Sequence, residues 1–101
     1  MLRIGVFCAG GMSTSMLVKK MLQAAKNKNI EVTVKAYPES QLERGVRELD
    51  VILLGPQVGY IIDKCKEICE AYGVNVEVIS TQDYGMLNGE NVLNRAIEIS
   101  K

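Results

Sequence analysis

The chain has 101 residues, of which 48% are hydrophobic, and this is enough for one domain, residues 1–101, with a buried core. Twelve basic residues balance twelve acidic residues, so the charge gives no indication of a nucleic-acid partner or of an anionic membrane surface. Histidine is absent, which excludes catalytic pairs and metal sites that need an imidazole of this chain, and an odd number of cysteines, three, is typical of reduced thiols in the cytoplasm.

The first two predicted elements enclose a loop that begins with a cysteine. Residues 2–7 are mostly apolar, which predicts a strand buried in a parallel sheet. From residue 13 to residue 28 the apolar positions recur at helical spacing, which predicts a helix with one buried side, and we expect Met16 to belong to that side. Cys8 stands between the two elements, at the carboxyl end of the strand.

The next three elements are an edge strand, a short helix and a central strand. Residues 31–36 alternate between polar and apolar side chains, as expected of a strand at the edge of a sheet. After Pro38, Ser40 and Glu43 have the spacing of a capping box, which predicts the start of a short helix. Residues 51–54 are apolar without alternation, which predicts a strand that is covered on both faces.

A long helix, a second edge strand and a last helix complete the pattern. Apolar residues recur at three-four spacing over residues 58–72, and Gly73 follows as a C-terminal cap. Residues 74–78 alternate and predict a strand. A loop over residues 80–89, which can contain a short helical turn, then leads to an amphipathic helix with its apolar positions at residues 92–97.

Four strand-helix units in succession predict an α/β fold, a single four-stranded parallel sheet with helices on both faces. With the first and third strands central and the other two at the edges, the strand order is 2-1-3-4. Ligands bind such sheets at the carboxyl ends of the strands, where the order reverses, which here is between the first and third strands. We therefore expect Cys8 to lie beside Gly55, Pro56 and Gln57, which follow the third strand.

The stretch after the first strand has the features of an anion-binding loop. Two adjacent glycines let the backbone turn so that successive N–H groups converge, and the following helix adds its positive end. A helix N-terminus also favours a thiolate, so the cysteine can attack a phosphoryl group whose oxygens the N–H groups hold. This arrangement needs neither a cofactor nor a metal. The predicted nucleophile is Cys8, and the predicted phosphate-binding residues are Ala9, Gly10, Gly11, Met12, Ser13, Thr14 and Ser15.

Two other interpretations of this loop are open from the residues alone. Cys8 can be a structural cysteine buried at the end of a strand, a common role for such a thiol. The protein can also be a small cysteine-dependent phosphatase or an arsenate-reductase-like protein, with Asp83 as the general acid. Phosphotyrosine-type phosphatases have an arginine after the five residues that follow the cysteine, where this chain has Thr14. The bidentate clamp on the phosphoryl oxygens is then missing, which favours passing the group to a partner over hydrolysing it.

Three stretches resemble one known family. Residues 7–15, which contain the string Cys-Ala-Gly-Gly-Met-Ser-Thr-Ser, together with residues 53–58 and 83–85, resemble the lactose/cellobiose-type enzyme IIB of the bacterial sugar phosphotransferase system. The resemblance covers essentially the whole chain and implies the fold of the low-molecular-weight tyrosine phosphatases. It also implies that Cys8 takes a phosphoryl group from a phosphohistidine of enzyme IIA. The phosphocysteine would pass the group to a sugar of the cellobiose, chitobiose or lactose class held by the membrane enzyme IIC.

This resemblance implies a cytoplasmic phosphotransferase that docks peripherally on a membrane permease. No run of the sequence approaches the roughly 18 consecutive apolar residues that span a bilayer, so we expect no direct membrane insertion. A regulatory IIB-like binding module is an alternative, because its loop chemistry would be identical to that of a transport component.

The remaining candidates lie outside the loop. Pro56, Gln57 and Tyr84 are candidates for a second layer around the phosphoryl group, because their segments open at the same end of the sheet. Cys65 and Cys69 have a spacing that could serve a metal, but two thiols without further ligands favour core packing.

Overall fold

A computed structural model of the chain describes residues 1–9 and 12–101, with residues 12 and 13 described by their backbone alone. Within this part of the chain, four parallel strands form a sheet in the order β2-β1-β3-β4. The strands are β1 (Leu2–Cys8), β2 (Val32–Pro38), β3 (Val51–Leu54) and β4 (Asn75–Val78). The helices are α1 (Met12–Asn27), α2 (Leu42–Gly45), α3 (Ile62–Tyr72), α4 (Thr81–Gly85) and α5 (Gly89–Ile99).

The order of the strands follows from their hydrophobic patterns. All four residues of β3 are buried, and so are the last five residues of β1, as the uninterrupted apolar runs predict for central strands. β2 and β4 lie at the two edges of the sheet, where each strand pairs with one neighbouring strand only. The predicted strand order 2-1-3-4 is therefore confirmed.

Helices cover both faces of the sheet, and each face has its own core. On one face α1 and α5 pack over a cluster that includes Ile4, Val6 and Leu93. On the other face α2 and α3 cover a cluster that includes Phe7 and Leu54. Side chains alternate along a strand, so Cys8 points to the same face as Ile4 and Val6, which is the face that α1 covers.

Several local predictions are corrected by the structure. The capping box is wrong, because Ser40 lies inside a 3₁₀ turn (Glu39–Gln41) and no side chain caps that turn or α2. α3 begins at residue 62 rather than at residue 58, since a 3₁₀ turn (Pro56–Ile61) precedes it. The loop over residues 80–89 does contain a short helix, α4, as the prediction allowed, and its N-cap is the side chain of Ser80.

Two further observations concern the surface. Met16 is 49% exposed, so its predicted place in the core is wrong. Across residues 1–9 and 12–101, no helix has the length and apolar character that crossing a membrane requires.

Candidate functional site

The candidate nucleophile is the last residue of β1. Cys8 is 4% exposed and lies at the carboxyl end of the strand, between β2 and the segment that follows β3. Its sulfur is directed to the face of the sheet that α1 covers. The thiol is therefore held at the edge of the core, in the crevice where parallel sheets bind ligands.

Thr14, in the first turn of α1, contacts the sulfur directly. Its hydroxyl group donates a hydrogen bond to Sγ of Cys8, with 2.8 Å between the two atoms. The side chain of Thr14 is 1% exposed, so this polar group is shielded from water. A buried hydroxyl needs a partner, and here the partner is the candidate nucleophile.

Tyr84, near the end of α4, extends this contact. Its phenolic oxygen lies 2.8 Å from Oγ1 of Thr14, and the tyrosine is partly buried. A threonine hydroxyl has one hydrogen, and that hydrogen is directed to Cys8, so Tyr84 donates to Thr14. The three side chains form a hydrogen-bond relay from Tyr84 through Thr14 to Cys8.

Gly55 brings the end of β3 against the same cysteine. Its N–H donates to the carbonyl oxygen of Phe7 at 2.8 Å, which extends the pairing of β1 and β3 by one residue. A Cβ atom at position 55 would lie 3.4 Å from Cβ of Cys8 and 2.7 Å from Oε1 of Gln57. The absence of a side chain at Gly55 therefore leaves the space that the carboxamide of the exposed Gln57 occupies, and Gly55 itself borders Cys8.

Pro56 shapes the turn that returns Gln57 to this position. It is the first residue of the 3₁₀ turn, where its missing N–H costs no hydrogen bond. The N–H of Val58 closes the turn by donating to the carbonyl oxygen of Gly55 at 3.0 Å. As the strand order predicts, Gly55 lies beside Cys8, and the carboxamide of Gln57 lies against Gly55.

The rest of the predicted phosphate loop is described in part. Gly10 and Gly11 lie outside the described residues, as do the side chains of Met12 and Ser13. Ala9 is exposed, on the loop side of Cys8, and Ser15 is exposed on α1. Two methionines are exposed nearby in the sequence, Met16 by 49% and Met86 by 71%, and each is two residues from a member of the relay.

Asp83, the candidate general acid of a phosphatase, has contacts directed towards α5. Its Oδ1 accepts a hydrogen bond from Nδ2 of Asn91 at 3.3 Å. Its N–H donates to Oγ of Ser80 at 3.1 Å, which caps α4. The side chain thus joins α4 to α5, and the neighbouring Tyr84 is the residue of this segment that reaches the site.

The other two cysteines pack in the opposite core. Cys65 and Cys69 are 0% and 1% exposed, and their sulfur atoms are 3.8 Å apart. The hydrogen bond to Cys69, together with burial, raises the pKa of the Cys65 thiol, so it stays protonated. Within the described ranges, no group of three metal-binding side chains is present.

Comparison with known families gives a match over nearly the whole chain. The family model described as "PTS system, Lactose/Cellobiose specific IIB subunit" matches residues 3–95. The cellobiose-specific EIIB component of the phosphotransferase system of Lactococcus lactis subsp. lactis is 39% identical over 98 residues, which span 92% of this chain and 91% of that protein.

Solved structures agree with this match. The cellobiose-specific phosphotransferase IIB component from Borrelia burgdorferi is 43% identical with a TM-score of 0.80, and the alignment covers 97% of this chain and 90% of that one. The lactose-specific IIB component domain from Streptococcus pneumoniae has a TM-score of 0.90 at 20% identity, covering 99% and 98% of the two chains, and supports the fold alone. The predicted fold class, with its likeness to the low-molecular-weight tyrosine phosphatases, is confirmed.

Proposed function

Because this chain belongs to the lactose/cellobiose-specific IIB family of the sugar phosphotransferase system, we propose that Cys8 is the residue on which it carries the phosphoryl group. The chain is an EIIB component of the cellobiose/lactose class, a phosphoryl carrier that acts as a phosphotransferase. The observation that carries the assignment to Cys8 is the 2.8 Å hydrogen bond from Thr14 to its sulfur. A donor held against sulfur orients the nucleophile and stabilises the negative charge that sulfur carries in the transfer reaction.

The reaction would proceed in two transfers. In the first, the thiolate of Cys8 attacks a phosphohistidine of enzyme IIA, and in the second, a sugar held by the membrane enzyme IIC takes the phosphoryl group. The backbone N–H groups of residues 9–15 would hold the phosphoryl oxygens, as converging N–H groups at a helix N-terminus do. The carboxamide of Gln57, which lies against the glycine that borders Cys8, supports an additional contact from its NH₂ group.

The partners, sugar and location belong to the same proposal. We place the protein, with residues 1–101 as one IIB domain, in the cytoplasm, where it would dock peripherally on the permease. Met16 and Met86 support a docking surface around the site, because exposed methionines adapt to more than one partner. The sugar would be of the cellobiose or lactose class, since the matching family model is described by both sugars and relatives named for cellobiose match nearly the whole chain.

Two features argue against a phosphatase. The position of the phosphatase arginine is occupied by Thr14, whose hydroxyl group contacts sulfur instead of extending towards phosphoryl oxygens. Asp83 accepts a hydrogen bond from Asn91, so its carboxylate is engaged with α5. Both features favour transfer to a partner over transfer to water.

The proposal is tested by mapping the phosphoryl group. The chain is mixed with phosphorylated enzyme IIA, digested with trypsin under conditions that preserve phosphocysteine, and analysed by mass spectrometry. We expect the added mass on the peptide that spans residues 4–19, and we expect Cys8→Ser to lose it while Cys65→Ser keeps it. Labelling that survives in Cys8→Ser, or steady hydrolysis of aryl phosphates without acceptance from enzyme IIA, would show the assignment to be wrong.

A further inference from the structure

We propose that Tyr84 is a positioning residue that acts through Thr14 to stabilise the sulfur of Cys8 when the phosphoryl group leaves. The inference rests on the proposed role of Cys8 and deepens it. It starts from the hydrogen-bond relay, in which two contacts of 2.8 Å join the three side chains in series.

The effect of the relay on Cys8 depends on which group donates in each hydrogen bond. The single hydrogen of the Thr14 hydroxyl is used on sulfur, so the oxygen of Thr14 is available only as an acceptor, and Tyr84 fills that place. Hydrogen bonds in series polarise one another, especially away from water. Tyr84 therefore strengthens the donor that Thr14 presents to Cys8, and it also fixes the rotamer of a side chain that is 1% exposed.

The relay acts differently on the two states of the cysteine. When the phosphoryl group leaves, the sulfur–phosphorus bond breaks and its electron pair stays on sulfur as a thiolate. Phosphorus forms its new bond to a neutral imidazole nitrogen of enzyme IIA, or to a sugar hydroxyl oxygen whose proton passes to solvent. Thr14 and Tyr84 keep their hydrogens throughout. An anionic sulfur is a strong acceptor and the uncharged sulfur of a phosphocysteine is a weak one, so the relay stabilises the unphosphorylated state more.

This difference predicts a shift in an equilibrium, which a purely structural role would not produce. The ratio of phosphorylated to unphosphorylated chain is measured against enzyme IIA, approached from both directions, by intact-protein mass spectrometry. The measurement is made at one fixed pH for the wild type and every variant. Thr14→Val removes a hydrogen bond to a charged acceptor. It should therefore raise the ratio of phosphorylated to unphosphorylated chain about tenfold. Tyr84→Phe, which removes only the polarising contact, should favour it about two- to threefold.

Two further variants separate the relay from general damage. Thr14→Ser keeps the hydroxyl group and should restore the wild-type ratio. The double variant Thr14→Val/Tyr84→Phe should match Thr14→Val, because Tyr84 has nothing to act on without the threonine hydroxyl. Matched controls are Thr33→Val on β2 and Tyr72→Phe on α3, which leave the ratio unchanged. Tyr84→Phe tests the same relay from a partly exposed position if Thr14→Val does not fold.

The outcomes are distinct. A ratio that is the same in the wild type, Thr14→Val and Tyr84→Phe overturns the relay while leaving Cys8 as the carrier. A double variant that shifts the ratio well beyond Thr14→Val shows that Tyr84 acts by another route, which also overturns the inference. A wild-type chain that takes no phosphoryl group at Cys8 overturns both this inference and the proposed function.

Discussion

Replacing Gly55 by alanine adds one methyl group between Cys8 and Gln57. The backbone at position 55 has φ −61° and ψ 150°, which alanine adopts without strain. The new Cβ would meet Oε1 of Gln57 at 2.7 Å and Cβ of Cys8 at 3.4 Å. The contact with Cys8 is an ordinary one, so the change displaces the carboxamide of Gln57 and leaves the cysteine in place.

The effect of Gly55→Ala on stability and on transfer depends on how far the carboxamide of Gln57 has to move. The carboxamide must retreat by at least about 0.7 Å to reach ordinary contact distance, and it can do so because the side chain of Gln57 is exposed. We expect the free energy of unfolding to change by less than about 1 kcal/mol, since alanine also restricts the unfolded chain by about 0.4–1 kcal/mol. Loss of one hydrogen bond to a charged group should slow transfer from enzyme IIA about tenfold.

The assay is the single-turnover rate of phosphoryl transfer from enzyme IIA, with urea denaturation of the same samples. Gln57→Ala should be slowed to the same extent as Gly55→Ala, and the double variant should be no slower than either. Gly59→Ala is the matched control, because its Cβ would meet Val78 at 3.5 Å, away from Cys8. If Gly55→Ala and Gln57→Ala transfer at the wild-type rate, the carboxamide has no part in the reaction and the reasoning is refuted.

Three more predictions concern stability. Gly89→Ala should lose about 2–3 kcal/mol in urea denaturation, because its Cβ would lie 2.6 Å from the backbone nitrogen of Met21 and neither helix can yield; a neutral change would contradict this packing. The hydrogen bond from the Arg3 side chain holds the pKa of Asp50 below its usual range, so Asp50→Asn should cost stability at pH 7, a difference that fades below about pH 4 as the wild-type carboxylate is protonated. Asn29→Gly should raise the free energy of unfolding by up to about 1 kcal/mol, since residue 29 is exposed with φ 55°, and Asn29→Ala should lower it; thermal denaturation checks both.

The sheet could be predicted from sequence because its strands differ in hydrophobic pattern. β3 is apolar without alternation and β2 alternates, and the structure places the first at the centre and the second at an edge. The start of α3 was not predictable in the same way. Val58 has φ −113° and ψ 19° inside a 3₁₀ turn, and over a single turn the spacing of apolar residues does not distinguish a 3₁₀ turn from an α-helix.

The position of Cys8 at the carboxyl end of a central strand follows from the same patterns, but its hydrogen-bond partners do not. Thr14 and Tyr84 are 70 positions apart, and nothing in a local pattern says that the short α4 brings its tyrosine over the first turn of α1. The sequence treats Ser13, Thr14 and Ser15 as equivalent hydroxyl groups. Only packing distinguishes Thr14, which is buried, from Ser15, which is exposed.

The position of Thr14 connects the fold to the choice of reaction. An arginine at this position would place its charge on the phosphoryl oxygens, which are present whether the group is passed to water or to a partner. A threonine hydroxyl of 1% exposure instead donates to sulfur, so its stabilisation grows as the sulfur–phosphorus bond breaks. It adds nothing that activates water. On the proposed role of Cys8, this crevice would be suited to release a phosphoryl group to a docked partner, and poorly suited to hydrolyse it when no partner is present.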